Sequence, residues 1–158
     1  MSQVGDDKKN IKILVLGLGG GSIIKVFRKY FSNSKITAVD YDPIMVKLGK
    51  KYLGLTNDSN MKIVIDDAVN FINKTKQQFD LIFVDLFSGE KIPDFCGSEF
   101  FLRKTKEKLK EFGLVVFNRH YYQNHISEAN IFLDKLKKIF NDVSSKKILT
   151  NLLIFARR

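Results

Sequence analysis

The chain has 158 residues, which fits a single domain long enough to bury an apolar core. Hydrophobic residues make up 44% of it and charged residues 28%, and the lone cysteine, Cys96, excludes an intrachain disulfide and is consistent with a reducing compartment. No apolar run approaches the roughly 18–20 residues that a membrane-spanning helix needs. We therefore expect a cytoplasmic protein without a membrane span, with residues 1–10 as a flexible polar tail and residues 11–158 as the folded domain.

The formal net charge of +10 is compatible with an anionic partner such as nucleic acid. The lysines, however, are spread over predicted helix faces, as in residues 103–110, and they do not alternate with aromatic side chains. Most of the positive charge is therefore expected on solvated helix faces, and nucleic-acid binding is the weaker alternative.

Five short apolar runs, each followed by a helical stretch, indicate β-strands that alternate with helices. The strands are predicted at residues 11–16, 36–39, 61–65, 81–84 and 114–117. Helices are predicted at residues 22–31, from Asp42-Pro43 onward with Ile44, Leu48 and Tyr52 on one face, from Asp67 to about 74, at 98–110, and along an apolar stripe from Ile126 to Phe140. A hairpin at about residues 143–155, with its turn near Thr150-Asn151, closes the chain.

Repeated strand–helix units with right-handed crossovers predict an α/β fold, a single Rossmann-like doubly wound sheet. The sheet is expected to be mostly parallel, with an antiparallel strand from the C-terminal hairpin. That terminal hairpin favours the methyltransferase variety of this fold over the nicotinamide-binding variety.

A glycine-rich loop follows the first strand and opens the first helix. Its glycines, which let the backbone turn sharply and approach a ligand, are Gly17, Gly19, Gly20 and Gly21. Ser22 occupies the third glycine position of the dinucleotide motif, and no Lys-Ser/Thr ending of a phosphate-binding loop is present. Asp40 ends the second strand, 19 residues after Gly21, where a carboxylate accepts hydrogen bonds from both ribose hydroxyls of an adenosine ligand. A mononucleoside ligand is therefore favoured over a dinucleotide.

Two further aspartates near strand ends need separate interpretations. Asp42 is explained as a helix N-cap before Pro43. Asp67-Ala68 follows the third strand, where the carboxylate is positioned to accept a bond from an adenine amino group. Capping of the next helix is the alternative for Asp67, and one residue can serve both roles.

Together these segments resemble the spermidine synthase-like branch of class I S-adenosylmethionine-dependent methyltransferases. The segments that carry the resemblance are residues 13–22 (ILVLGLGGGS), 38–43 (AVDYDP), 67–68 (DA), 79–89 (FDLIFVDLFSG), 98–101 (SEFF), 113–118 (GLVVFN) and 151–156 (NLLIFA). The resemblance implies S-adenosylmethionine, or its decarboxylated form, as the cofactor. It implies that residues 17–21 wrap the amino-acid part, with Asp40 on the ribose, Asp67 and Ala68 near the adenine, and Asp85 as the catalytic aspartate that takes a proton from an attacking amine.

Three departures from the aminopropyltransferase pattern argue against polyamine synthesis. Gly20 stands where those enzymes carry an aspartate, Ser88 replaces a second aspartate, and their N-terminal β-rich domain has no counterpart before the first strand. The expected function is therefore methyl transfer to a nitrogen nucleophile, either a small molecule or a protein amine. Alternatives are an aminopropyltransferase and a non-catalytic nucleoside-binding module, and a homodimer or a partner subunit is compatible with each.

The stretches after strands four and five border the expected substrate site. Asp85, Glu90, Asp94 and Glu99 are four acidic residues within fifteen positions of a basic chain. Such an acidic lip favours a cationic amine, although ordinary loop and helix-start acidity is the preferred explanation. After strand five come His120, Tyr121, Tyr122 and His125. Two histidines without carboxylate or cysteine ligands nearby do not predict a metal site.

Overall fold

A seven-stranded mixed sheet organises the part of the chain that the computed structural model describes, namely residues 10–18, 21–52, 54–56, 59–89 and 91–158. The strands are β1 (Lys12–Leu16), β2 (Lys35–Asp40), β3 (Met61–Ile65), β4 (Phe79–Val84), β5 (Leu109–His120), β6 (Asp142–Ile148) and β7 (Asn151–Arg157). The helices are α1 (Ser22–Tyr30), α2 (Pro43–Tyr52), α3 (Ala68–Lys74), α4 (Glu99–Glu107) and α5 (His125–Ile139), with a short 3-10 helix at Asp94–Gly97. The predicted tail, residues 1–10, lies outside the described residues except for Asn10.

The strand order is β3-β2-β1-β4-β5-β7-β6. The first five strands in this order are parallel, whereas β7 runs antiparallel to both β5 and β6. The predicted doubly wound sheet with an antiparallel terminal hairpin is therefore confirmed. Strand order reverses where β1 lies between β2 and β4, and ligands of open α/β sheets bind at the carboxyl ends of the strands at such a switch point.

The sheet separates two apolar layers. The larger layer contains side chains of α3, α4 and α5, and the smaller one contains side chains of α1 and α2. The middle of β1 is apolar at successive positions because residues 13–16 are completely buried between these layers. The rigid central strands thus hold the loops that follow β1, β2 and β4 at one edge.

Phe117 of β5 is a central side chain of the larger layer. It is fully buried and packs edge-on against Phe132 and Phe140, with ring centroids 5.2 and 6.5 Å away. We expect Phe117→Ala to lower the free energy of unfolding by about 3–5 kcal/mol in denaturant titrations, because it removes apolar contacts and leaves a cavity. Phe112→Ala, which truncates an exposed phenylalanine of the same strand, is the control and should change that free energy by no more than about 0.5 kcal/mol.

Strand β5 is longer than predicted, and α4 is shorter. The predicted helix at residues 98–110 ends at Glu107, and β5 begins at Leu109 rather than at residue 114. Leu109 pairs with Phe79 before the register shifts and Leu114 pairs with Leu81. The lysine-rich sequence up to Lys110 continues the helical pattern, which is why the helix was predicted to be longer. Leu109 instead pairs with β4 and is completely buried, and both contacts favour the strand.

The face of α2 that carries Ile44, Leu48 and Tyr52 is exposed, whereas Val46 and Gly49 are buried. Gly49 allows α2 to pack closely against the Leu55 side chain, because a Cβ at residue 49 would lie 2.3 Å from Leu55 Cδ1. The hairpin turn lies one residue earlier than predicted, at residues 149–150, because Ile148 pairs directly with Asn151.

Candidate functional site

The glycine-rich loop leaves β1 between its two neighbouring strands. Gly17 donates its N–H to Val39 of β2 at 2.9 Å, and Asp85, just after β4, donates to Leu16 at 2.8 Å. Gly17 has φ +86°, and a Cβ there would lie 2.2 Å from the carbonyl oxygen of Asp85, so only glycine fits. Gly21, also at positive φ, caps the start of α1. The predicted cofactor-binding residues Gly19 and Gly20 lie outside the described residues.

Asp40 connects this loop to the end of β2. Its Oδ2 accepts the backbone N–H of Leu18 at 2.8 Å, and its Oδ1 accepts that of Asp42 at 2.9 Å. The side chain is buried, yet it borders the large cavity described below. The sequence did not predict this bond to Leu18, which gives Asp40 a structural role beside the expected ribose contact.

The other two aspartates at strand ends cap helices. Oδ1 of Asp42 accepts the N–H groups of Ile44 and Met45 at the start of α2, which confirms the predicted cap. Oδ1 of Asp67 accepts those of Val69 and Asn70 at 2.8 and 3.2 Å, so the capping alternative for Asp67 is realised. Asp67 and Ala68 nevertheless both line the cavity, which is compatible with the additional adenine role.

Asp85 follows β4 at the same edge and is held by β5. Asn118 Nδ2 donates a hydrogen bond to Asp85 Oδ1 at 2.9 Å. Burial raises the pKa of Asp85 above its ordinary value of 3.8, while the bond from Asn118 and the charge of His120 act in the opposite direction. A partly desolvated carboxylate of raised pKa is a better proton acceptor than an exposed one.

Aromatic rings cluster beside Asp85, where β5 leads into α5. The His120 ring lies 4.4 Å from that of Phe87 and 5.5 Å from those of Tyr122 and His125, and Tyr122 and His125 are 5.0 Å apart. His125 Nδ1 in turn contacts Glu128 Oε2 at 3.2 Å. The sequence pointed to the two histidines and Tyr122, but Phe87 comes from the loop after β4 and was not singled out.

A cavity of about 780 Å³ opens at the carboxyl ends of β1, β2, β3 and β4. Gly17 and Ala68 line it, and so do Met45, Phe87 and Phe95 from the surrounding loops and helices. Charged residues from the described part of the chain that line it are Asp40, Asp42, Asp66, Asp67, Asp85, Asp94 and Lys91. A cavity with six carboxylates and one ammonium group, in a chain of net charge +10, attracts cationic ligands.

The predicted acidic lip is realised only in part. Asp94 lines the cavity with Asp85, whereas Glu99 forms an ion pair with Arg103 at 2.7 Å and borders a separate groove between α4 and α5. Glu90 lies outside the described residues. The acidity of the cavity therefore comes mainly from the ends of β2 and β3, which sequence spacing did not group with Asp85.

Within the described ranges, no helix is long and apolar enough to cross a membrane. The same residues contain no cluster of three or more histidine, cysteine, aspartate or glutamate side chains suited to a metal ion. The lone thiol, Cys96, is buried, and burial raises its pKa to about 12, so it is not a nucleophile near neutral pH.

Comparison with known proteins gives relatives of two chemistries. The polyamine aminopropyltransferase of Buchnera aphidicola is 33% identical over 140 residues, which cover 82% of this chain and 47% of that protein. The eEF1A lysine and N-terminal methyltransferase homolog of Drosophila melanogaster is 31% identical over 146 residues, which cover 86% of this chain and 21% of that protein.

Among solved structures, human methyltransferase-like protein 13 in complex with SAH superposes with a TM-score of 0.85 at 25% identity, covering 94% of this chain and 72% of that one. The chain spans about half the length, or less, of the curated relatives that it matches. A sequence model of the spermine/spermidine synthase domain matches residues 2–152. The chain therefore belongs to the spermine/spermidine synthase domain family.

Proposed function

We propose that this protein binds S-adenosylmethionine in the acidic cavity and transfers its methyl group to an amine. The observation that carries the proposal is the position of Asp85, a half-buried carboxylate of raised pKa at the switch point of the sheet. It lies next to Gly17 and in the same cavity as Asp40 and Asp67.

The residues of the cavity fit an adenosine ligand. The Asp40 carboxylate borders the cavity at the end of β2, and we assign it to the ribose hydroxyls. Asp67 and Ala68 line the cavity at the next strand end, and we assign the adenine to them. The six carboxylates also match the positive charges of a sulfonium and an α-amino group.

Asp85 is assigned the role of general base, which removes a proton from the acceptor amine. An amine must be neutral to attack, and the Asp85 carboxylate takes the N–H proton as the N–C bond forms. When bound, the cofactor supplies an electrophilic methyl carbon whose bond to the sulfonium sulfur breaks, with the electron pair passing to sulfur. The site also has to align the acceptor nitrogen with the methyl carbon. The fixed ends of β1 and β4 favour this alignment.

One observation favours methyl transfer over aminopropyl transfer. Ser88 lines the cavity at the position where the aminopropyltransferase pattern carries a second aspartate. Aminopropyl transfer remains the second candidate, because relatives of about one-third identity are named polyamine aminopropyltransferases and Asp85 is present. A nucleoside-binding module without catalysis is the third.

Thermal unfolding with a panel of nucleosides tests the proposal. A ligand at a hundred times its dissociation constant adds about 2.7 kcal/mol to the free energy of unfolding. We therefore expect S-adenosylmethionine and S-adenosylhomocysteine to raise the Tm by several degrees. Decarboxylated S-adenosylmethionine and methylthioadenosine should raise it less, and NAD is the control that should leave it unchanged.

The order of the Tm shifts distinguishes the candidates. Preference for the decarboxylated cofactor and methylthioadenosine would replace methyl transfer by aminopropyl transfer. Equal Tm values with and without every sulfur nucleoside would contradict the whole proposal.

A further inference from the structure

A second concave surface lies between α4 and α5, on the face of the sheet that is opposite to α1 and α2. This surface, the basic groove, has a volume of about 440 Å³. The described residues that line it include Gly97, Glu99, Arg103, Lys135, Lys138 and Ile139. Three cations and one carboxylate give the groove the opposite charge to the main cavity, and cofactor binding in that cavity does not explain it.

The protein itself neutralises the cations of the basic groove only in part. Arg103 contacts Glu99 Oε1 through Nε and Nη2, both at 2.7 Å, so these two charges are paired within α4. Lys135 Nζ donates to the backbone carbonyl of Gly97 at 3.2 Å, a bond that leaves its charge without a carboxylate. Lys138 forms no hydrogen bond or ion pair with any other described residue. Two ammonium groups without a carboxylate partner therefore line the groove.

The unpaired positive charge of α4 and α5 is confined to the basic groove. Lys106 adds to it at one end, where its Nζ donates to the carbonyl of Ile139 at 2.7 Å. The other lysines of these two helices form ion pairs, Lys104 with Glu107 at 2.8 Å and Lys137 with Asp134 at 3.1 Å. A nucleic-acid backbone is tracked by cations along an extended path, and these carboxylates interrupt such a path. The charge distribution thus favours an acidic segment of a protein.

An exposed apolar side chain lies beside the lysines of the basic groove. Ile131 is 58% exposed and precedes Lys135 by four residues, so both lie on the same face of α5. Ile139, which lines the groove, is half-buried. A segment with apolar residues between acidic ones complements this combination better than a purely charged ligand does.

One short helix connects the basic groove to the acidic cavity. The 3-10 helix Asp94–Gly97 has its first residue at the cavity and its last residue at the groove. A 3-10 helix rises about 2 Å per residue, so these two residues are roughly 6 Å apart along its axis. An extended peptide covers that distance in about two residues.

We infer that the basic groove binds an acidic segment of a partner protein, with carboxylates at Lys135 and Lys138 and an apolar side chain at Ile131. A cationic side chain about two residues from that segment then reaches Asp94 at the cavity. This second part rests on the proposed function and narrows its substrate class. The preferred acceptor is a protein that carries acidic residues close to the nitrogen that receives the methyl group.

Fluorescence anisotropy of the full chain with labelled peptides tests the basic groove without an activity assay. The probe is the peptide Glu-Glu-Leu-Glu-Glu-Leu-Glu-Glu, and its control has glutamine in place of every glutamate. We expect the acidic peptide alone to bind, and its affinity should fall as salt rises, because the contacts join opposite charges. Equal binding of the two peptides would overturn the inference.

Charge reversal locates the bound peptide. Lys135→Glu/Lys138→Glu should weaken its binding about tenfold, because two exposed ion pairs are replaced by repulsion. The matched control is Lys25→Glu/Lys29→Glu, which reverses two exposed lysines of α1 on the other face of the sheet and changes the net charge equally. If both double variants weaken binding to the same extent, the peptide responds only to net charge and the inference is wrong.

A single substitution keeps the test decisive should the double variant fail to fold. Lys135 is bonded to Gly97, whereas Lys138 is not bonded to another described residue. Lys138→Glu alone should therefore fold and weaken peptide binding severalfold, and Lys29→Glu should not. Unchanged affinity in a folded Lys138→Glu would contradict the inference.

A labelled single-stranded oligonucleotide of the same net charge is the competing ligand. We expect it to bind more weakly than the acidic peptide. If it binds more tightly, and if Lys135→Glu/Lys138→Glu abolishes that binding, the partner is a nucleic acid and the assignment of an acidic protein segment is wrong.

The connection to the cavity is tested with a lysine added two residues after the acidic block. The control peptide carries the same lysine before the block, so the two peptides have equal net charge. One of the two placements should bind several times more tightly, and Asp94→Asn should remove this difference. Equal affinities for the two placements, or a difference that persists in Asp94→Asn, would overturn the second part of the inference.

The outcomes separate this inference from the proposed function. If S-adenosylhomocysteine does not bind, the proposed function fails, while the peptide titrations still decide whether the groove is a binding site. If the nucleoside binds but the acidic peptide binds equally to wild type and to Lys135→Glu/Lys138→Glu, the inference is wrong and the proposed function stands.

Discussion

Replacing Asp85 by asparagine should abolish most turnover and leave cofactor binding intact. An amide cannot take the N–H proton, and loss of a general base costs roughly 10²- to 10⁴-fold in rate. The change preserves size and polarity at the end of β4, so the backbone contact between Asp85 and Leu16 should persist. The measurements are the rate of S-adenosylhomocysteine formation and the affinity for that product by calorimetry.

The control for this variant is Asp134→Asn, which removes an exposed carboxylate of α5 that pairs with Lys137. It should retain both turnover and affinity. If Asp85→Asn turns over at the wild-type rate, the catalytic assignment is wrong, whatever the affinity.

The pH dependence of kcat/KM follows from the same carboxylate. Only the ionised form accepts a proton, so activity should rise with pH through the pKa of Asp85. Burial raises that pKa above the ordinary 3.8, so this acid limb should lie at higher pH than for an exposed aspartate. The free energy of unfolding changes in the opposite direction. Folding disfavours the ionised carboxylate, so Asp85 lowers this free energy as pH rises from its ordinary pKa through its raised pKa in the folded protein.

The architecture was readable from the sequence because its central strands are buried on both faces. Residues 13–16, for example, are all apolar and completely buried. A strand with one face in solvent would instead alternate apolar and polar residues. Helix starts were readable for a local reason as well. The Asp42 and Asp67 caps depend on backbone N–H groups two or three residues away, so the pattern is contained in adjacent positions.

Contacts between distant residues could not be predicted in the same way. Asn118 and Asp85 are 33 positions apart, and their contact depends on the register of β4 and β5, which includes a shift near Phe79. Likewise, the bond from Leu18 to Asp40 depends on the pairing of β1 with β2. The sequence thus indicated which residues end strands, but not which of these side chains would bond to one another.

Asp40→Ala should lose cofactor binding and also destabilise the protein. The change removes the acceptors of two backbone N–H groups, those of Leu18 and Asp42. Leaving such groups without their bonds costs about 1–3 kcal/mol each when they are buried. The loop also loses the bond from Leu18, although the bond from Gly17 to Val39 of β2 remains. The measurements are the free energy of unfolding in urea and calorimetric titration with S-adenosylhomocysteine.

A variant that is destabilised away from the cavity helps to separate these two effects of Asp40. Ser98→Ala removes the cap of α4, where Ser98 Oγ accepts the N–H of Phe101, and should cost about 1 kcal/mol. Because Ser98 does not line the cavity, this variant should bind the nucleoside as wild type does. If Asp40→Ala keeps wild-type affinity, its carboxylate serves only the loop, and the ribose assignment fails. If Ser98→Ala also loses binding, general destabilisation explains the result and Asp40 has no demonstrated contact with the ligand.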